Sequence, residues 1–242
     1  MLQVLALFDG EESVRSAASL IEALGTSRAT GYRHIKTLYD AGLLTTVRNG
    51  YYSLGPRIIE LDLQIREADP LLLASHGILE ELAGRVGRSA LLLAVFPDYS
   101  VLCLGESNPT WPSSGRSRRG QRQSLFHDGG SIVILAHLPH HRLKSIYRVH
   151  SKEIEARGLG STWSDFRQGL AAIKHDGFHV TTAEYARVHG VAAPILSNRN
   201  MAVGSIAVAD VISTTDISDV IRYVKEAAAG ASEKLLKLTA PA

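Results

Sequence analysis

Arg28, Arg33 and Lys36 stand within nine residues of one another, with Thr30, Tyr32 and His34 between them. Cations at helical spacing suit a nucleic-acid contact. Arg and Lys neutralise phosphates and release counterions, and Arg reads guanine through a bidentate contact. Arg48, Asn49 and Tyr51 add a second polar and basic element shortly after. From Thr26 to Arg57 there are five cations (Arg28, Arg33, Lys36, Arg48, Arg57) and one anion (Asp40), a balance of +4. From Met1 to Gly25, Arg15 stands against four anions. The whole chain carries only +2, so any attraction to nucleic acid is local.

Enzyme chemistry is not visible. There is no Gly-x-Ser-x-Gly elbow and no P-loop, and Gly158-Leu159-Gly160 runs into Ser161-Thr162-Trp163 rather than a full dinucleotide fingerprint. His140 and His141 are adjacent, and His175 and His179 lie four apart. Gly177 should end the helix that would align the latter pair as metal ligands. No catalytic residue, metal ligand or cofactor is expected.

The basic residues need elements to hold them. Leu2, Leu5 and Phe8 share one side of a short helix that should stop at Asp9-Gly10. Ser13 is a candidate N-cap for a helix carrying Ala17, Leu20, Ile21 and Leu24. Gly25 suits a left-handed helix end, and Thr26 or Ser27 caps the next helix, which runs to Ala41-Gly42. Its apolar face reads as Ala29, Tyr32, Ile35, Leu38 and Tyr39; the opposite face carries Arg28, Thr30, Gly31, Arg33, His34, Lys36 and Thr37. Gly31 there reads either as close approach to DNA or as a tolerated small residue. Two helices joined by a three-residue turn form a helix-turn-helix unit, whose second helix enters the major groove. Asn49-Gly50, between Leu43–Arg48 and Tyr51–Leu54, predicts a type I′ hairpin, here a wing.

After Gly55-Pro56, the apolar residues Ile58, Ile59, Leu61, Leu63 and Ile65 predict a helix that needs cover on more than one side. A second copy of the chain or packing within the chain would supply it. Asp69-Pro70 ends this helix, and Leu71 to Val86 reads as another amphipathic one. Strands follow at Ser89–Phe96 and Val101–Leu104, then a polar loop, Ser107–Gln123, with Trp111 and four arginines. Helices are expected at Gly129–Leu138, His140–Val149, Thr162–Asp176 and Asp216–Leu238, with strands at Phe178–Glu184, Val188–Leu196 and Met201–Asp210. The pattern is α+β, with an antiparallel sheet between helices.

Length and composition agree. The chain has 242 residues, 45% hydrophobic and 21% charged, which excludes disordered and fibrous classes. A lone cysteine, Cys103, excludes a disulfide framework and suits a reducing cytoplasm. Met1–Phe8 lacks a basic leader region, and no apolar run approaches the roughly 20 residues of a membrane span. A cytoplasmic protein without membrane contact is expected.

In these features the sequence resembles the IclR family of bacterial transcriptional regulators, along nearly its whole length. The N-terminal resemblance rests on Ser27-Arg28-Ala29-Thr30-Gly31-Tyr32-Arg33, Leu38, Gly42-Leu43 and Tyr52-Ser53-Leu54-Gly55. The C-terminal one rests on Arg119-Gly120, Leu125, the helix from Gly129 to Leu138, Gly177-Phe178, Glu184, Val191-Ala192-Ala193-Pro194 and Val203-Gly204-Ser205-Ile206-Ala207-Val208. It implies a winged helix-turn-helix over residues 1–56, a linker helix over 57–70, and a GAF-like effector-binding domain with an antiparallel sheet over 71–242. It also implies an operator in double-stranded DNA, a small organic-acid effector, and assembly as a homodimer or a dimer of dimers.

Departures from the family pattern bear on the effector. Phe126-His127-Asp128 replaces the usual His-Ala-Thr or His-Ala-Ser, and Ser131-Ile132 replaces Gly-Lys. Gly190 stands where Cys is frequent, Ala207 and Ala209 where Ser is common, and Thr181-Thr182 where an acidic pair is usual. Such swaps suggest a roomier, more apolar pocket for a bulky acid such as 4-hydroxybenzoate. Its carboxylate is expected on the N–H groups at Gly129, Gly130 and Ser131. His127, Thr181, His189, Gly190, Ala207 and Ala209 complete the expected site, with Arg116 or Arg119 closing over it. That arginine loop also reads as solvated or as a subunit contact, and Trp111 as a ring-stacking partner or a loop anchor. Asp128 would repel an anion unless it points away as a cap. The DNA contacts expected are Ser27, Arg28, Thr30, Tyr32, Arg33 and Lys36, with Arg48, Asn49 and Tyr51 on the wing. The alternatives are an effector-independent DNA-binding protein and a sensor of a short-chain keto acid.

Overall fold

The computed structural model describes residues 1–8, 12–107, 119–181, 190–209 and 216–240. The chain divides into two compact units, Met1–Asp69 and Pro70–Ala242.

The first unit opens with a 3₁₀ turn, Leu2–Leu7, that buries Val4; Leu2, expected on the inward side, is exposed. Strand β1 (Arg15–Ser16) precedes helix α1 (Ala17–Leu24). The N-cap is Ser16, whose Oγ accepts from Ser19 N–H at 3.1 Å, rather than Ser13. Sequence reading missed β1 because two residues carry no periodicity. Gly25 takes the left-handed conformation (φ 60°) and ends α1. Ser27 then caps α2 (Arg28–Asp40) through Thr30 N–H at 3.3 Å.

Strands β2 (Leu44–Arg48) and β3 (Tyr51–Leu54) form the expected hairpin, and β1 pairs with β3 on its far side. The turn differs from the prediction. Gly50 has φ 75°, whereas the described non-glycine residues with positive φ are Tyr99 and Asn200, so Asn49 is not left-handed and the turn is not type I′. A register shift between Thr46 and Arg48 absorbs the extra residue as a bulge. Helix α3 (Arg57–Ala68) follows, anchored by Arg57 N–H donating to Gly42 O at 3.1 Å.

In the second unit, the predicted single helix over 71–86 is two: α4 (Pro70–Ser75) and α5 (Ile78–Val86). Gly77 between them is left-handed (φ 77°), which no helix tolerates. Strands β4 (Ala90–Val95), β5 (Val101–Ser107) and β6 (Arg122–Gln123) precede helices α6 (Gly129–Ala136), α7 (His140–Ala156) and α8 (Trp163–Asp176). Helix α7 continues past the expected end at Val149, with non-helical angles at His150. Strands β7 (His179–Thr181), β8 (Gly190–Leu196) and β9 (Ala202–Ala209) and helix α9 (Ile217–Leu238) complete the described elements.

The sheet order is β6-β5-β4-β9-β8-β7, antiparallel throughout. Alternation along each strand feeds two cores. Leu92, Ala94, Val191, Ala193, Ile206 and Val208 pack with α4, α5 and α9; Leu91, Leu93, Cys103, Ala192 and Ala207 pack with α6, α7 and α8. Helix α6 is buried along its entire length, so it is the central helix of its layer rather than a surface one.

Candidate functional site

Helix α2 sorts its side chains sharply. Gly31, Ile35 and Leu38 are buried, while Arg28, Tyr32, Arg33 and Lys36 face solvent. Tyr32 (54% exposed), Tyr39 and Ala29 lie outside the core, contrary to the apolar face expected. The core stripe is therefore narrower and includes Gly31. A Cβ at Gly31 would run into Ile21 of α1, so this glycine lets the two helices pack closely. That explains its place in the helix without any approach to DNA.

Thr30 Oγ1 accepts from Ser27 Oγ at 3.1 Å, and Lys36 Nζ reaches Asp40 Oδ2 at 3.0 Å. The Lys36 pair is an exposed i,i+4 contact, worth about 0.3–0.5 kcal/mol, which phosphate readily replaces. On the hairpin, the Arg48 guanidinium lies 4.0 Å from the centre of the Tyr51 ring, so Tyr51 holds the cation in place. Asn49 is exposed at the turn.

Within the second unit, register places two rows side by side on the sheet face that carries α6. One runs His179–Ala192–Ala207–Leu91, the other Thr181–Gly190–Ala209. The middle of both rows is small, with His179 and Thr181 at the β7 edge. The start of α6 lies over this corner. A Cβ built on Gly129 would collide with Thr181 Oγ1 and lie 3.5 Å from His179 Cδ2 and 3.7 Å from Ala192 Cβ. One on Gly130 would collide with Leu93 and approach Ser205 Oγ to 3.1 Å; at Gly190 it would meet Val208 O at 2.9 Å. These glycines are tight contacts and open no extra room, contrary to the roomier pocket suggested by the swaps.

Asp128 is turned to capping. Its Oδ1 accepts from Ser131 N–H at 2.8 Å, and its Oδ2 from Gln123 Nε2 at 2.9 Å. Ser131 is fully buried and its Oγ accepts from the same amide at 2.9 Å, so its polar groups serve the helix start. The N–H groups of Gly129 and Gly130 find no acceptor among the described residues, as the first turn of a helix requires of some outside partner. Thr181, 7% exposed, has a buried Oγ1 with no hydrogen-bond partner among the described residues. An orphaned hydroxyl beside free N–H groups at a helix N-terminus suits an oxyanion.

Other expected residues lie elsewhere. His127 is exposed. Gly120, which follows Arg119, donates its N–H to Cys103 O on β5, well along the sheet from β7. Trp111, Arg116 and His189 lie outside the described residues. Sequence reading missed His179 and Ala192; only the pairing of β7, β8 and β9 brings them to the corner.

The Cys103 thiol is pushed up to about 12, chiefly by burial and then by Glu106, which makes it a poor nucleophile. His137, buried at the end of α6, donates from Nδ1 to Val133 O at 2.8 Å, and burial holds its pKa below the ordinary value. Among the described residues, no cluster of three or more His, Cys, Asp or Glu is placed to hold a metal ion. No helix among them is long and apolar enough to cross a membrane.

The family described as bacterial transcriptional regulator IclR C-terminal matches residues 66–235. The chain belongs to the IclR family of transcriptional regulators. Its relatives include the probable transcriptional regulator SauR of Cupriavidus necator, 24% identical, with 96% of this chain and 92% of that protein covered. The IclR regulator of Alicyclobacillus acidocaldarius shares the fold, with a TM-score of 0.78, 22% identity and 96% of each chain covered. So does an IclR homologue of Microbacterium hydrocarbonoxydans solved with 4-hydroxybenzoate, with a TM-score of 0.77, 20% identity and 97% and 96% covered. Membership of a transcriptional-regulator family implies binding of DNA and of a small-molecule effector.

Proposed function

We propose that this regulator reads an operator with a winged helix-turn-helix and adjusts its grip when a small organic acid binds a GAF-like domain at the α6–β7 corner. The observation that carries this reading is the exposed cationic side of α2, beside the Arg48–Tyr51 pair, in a unit whose first 25 residues are acidic. Arg28, Tyr32, Arg33 and Lys36 contact bases and phosphates of the major groove, with Ser27 and Thr30 at the helix start; Arg48, Asn49 and Tyr51 contact the flanking backbone. Residues 1–56 form the DNA-binding part, 57–70 the linker and 71–242 the effector domain. No residue of α3 is buried, and Ile59 is 75% exposed with Leu63 and Ile65 beside it. These residues support a homodimer, or a dimer of dimers, in which a second copy covers the linker.

The effector is an aromatic carboxylate of the 4-hydroxybenzoate type. The small floor at Ala192, Ala207 and Ala209 and the ligand of the Microbacterium homologue support it. Thr181 and the Gly129 and Gly130 N–H groups take the carboxylate, with Gly190 beneath; Trp111, Arg116 and His189 are proposed as further contacts. One observation favours a second reading, a short-chain keto acid: the space expected at Gly130 and Gly190 is filled by neighbours. Calorimetric titration with 4-hydroxybenzoate, benzoate, glyoxylate and pyruvate decides. Aromatic acids binding more tightly supports the first reading; binding of the small acids alone replaces it with the second. Absence of any effect of these acids on operator binding favours an effector-independent protein.

A further inference from the structure

We propose that His179 is the cationic partner of the bound acid, so that the effector is taken up together with one proton. This rests on the effector site proposed at the α6–β7 corner and adds to it a residue that decides which ligands the site accepts.

The geometry is specific. His179 and Thr181 alternate along β7 and so share the face that carries α6, while Val180 packs into the opposite core. The His179 ring stands beside the first residue of α6, next to the orphaned Thr181 hydroxyl. An oxyanion accepting from the Gly129 and Gly130 N–H groups and from Thr181 Oγ1 therefore lies against the imidazole. Among the described residues, no charged neighbour shifts the His179 ring. β8 and β9 offer Ala192 and Ala207 in the same row. On α6 the charged group is Asp128, whose oxygens accept from Ser131 N–H and Gln123. On α9, Lys225 Nζ donates to Asp176 O at 3.0 Å and lies 5.4 Å from the Phe178 ring centre.

Burial lowers the pKa of His179 and keeps the ring neutral before binding. A carboxylate placed against it reverses the balance, because an adjacent anion favours imidazolium. The ligand arrives as an anion and a solvent proton moves to the ring, so charge balances within the buried corner. A neutral isostere gains nothing from this step. The site should therefore prefer benzoate to benzamide, and prefer it less as pH rises.

The test is calorimetry of the full-length protein with 4-hydroxybenzoate and glyoxylate, in buffers of different ionisation enthalpy. Uptake of up to about one proton per site near neutral pH is expected, with affinity falling by up to about tenfold per pH unit between the free and bound pKa values. His179→Gln, which keeps a hydrogen-bond donor without a titration, should still bind but show no proton uptake by the ring and a flat profile. Carbon-13 NMR of the labelled His179 ring should report protonation on addition of the acid. Binding without proton uptake, or a profile unchanged in His179→Gln, overturns this inference and leaves the site standing. Failure of both acids to bind, or binding indifferent to both Thr181→Val and His179→Gln, overturns the site reading and this inference with it.

Discussion

Helices α2 and α6 solve opposite problems. Helix α2 keeps one narrow stripe inside and gives its cations to water; α6 is buried on every side and offers only its N-terminal end. A surface helix can change its outward residues with little effect on folding, so its function is written in charge at regular spacing. A central helix cannot, and its chemistry must come from backbone N–H groups and from side chains that other strands bring to it. The comparison predicts that changes on α2 separate binding from stability, whereas changes at the α6 corner couple them.

The largest effect is expected inside. Gly130→Val should lower unfolding stability by about 1–3 kcal/mol in urea titration, because Leu93 and Ser205 must shift. A wild-type midpoint would show that the corner has slack and would weaken the contrast. Arg33→Ala should lower operator affinity by about 1–3 kcal/mol if Arg33 reads a base, while stability stays within about 0.5 kcal/mol. Unchanged affinity and sequence preference in gel shift would remove Arg33 from the contacts. Thr181→Val should do the reverse of an ordinary polar loss. It removes an unpaired buried hydroxyl, so the ligand-free protein gains up to about 1 kcal/mol while acid binding weakens. Lower stability without ligand would mean that the hydroxyl is satisfied in solution.

The smallest effect concerns protonation. Burial depresses the pKa of His137, so the unfolded chain binds the proton more readily than the folded one. Its contribution is full above the ordinary histidine value of about 6.5 and declines as pH falls toward the folded value. Urea midpoints between pH 7 and pH 5 should fall less steeply in His137→Gln than in the wild type.

The first unit was largely legible because its signals are local. Gly25, the Ser27 cap and the hairpin pairing each depend on a few adjacent residues. Where reading failed there, a contact from elsewhere had decided: Ile21 made Gly31 a packing residue, and pairing with β3 moved the cap from Ser13 to Ser16. In the second unit, α6, α8 and α9 were visible from their caps and periodicity, but Gly77 split a helix whose apolar pattern ran straight through it. The corner was legible only in part. Thr181, Gly190 and Ala209 were named from resemblance; that they form one row, with His179 and Ala192 in the next, follows from register over strands far apart in sequence. No local spacing encodes that.

An operator-binding isotherm of the wild-type protein, measured by fluorescence anisotropy on the gene's upstream DNA with and without saturating acid, addresses both helices at once. Tight, salt-sensitive binding whose midpoint shifts when the acid is added is the predicted result. Superimposable curves, or no binding stronger than to unrelated duplex, would contradict the assignment of α2 to the operator and of the α6 corner to its control.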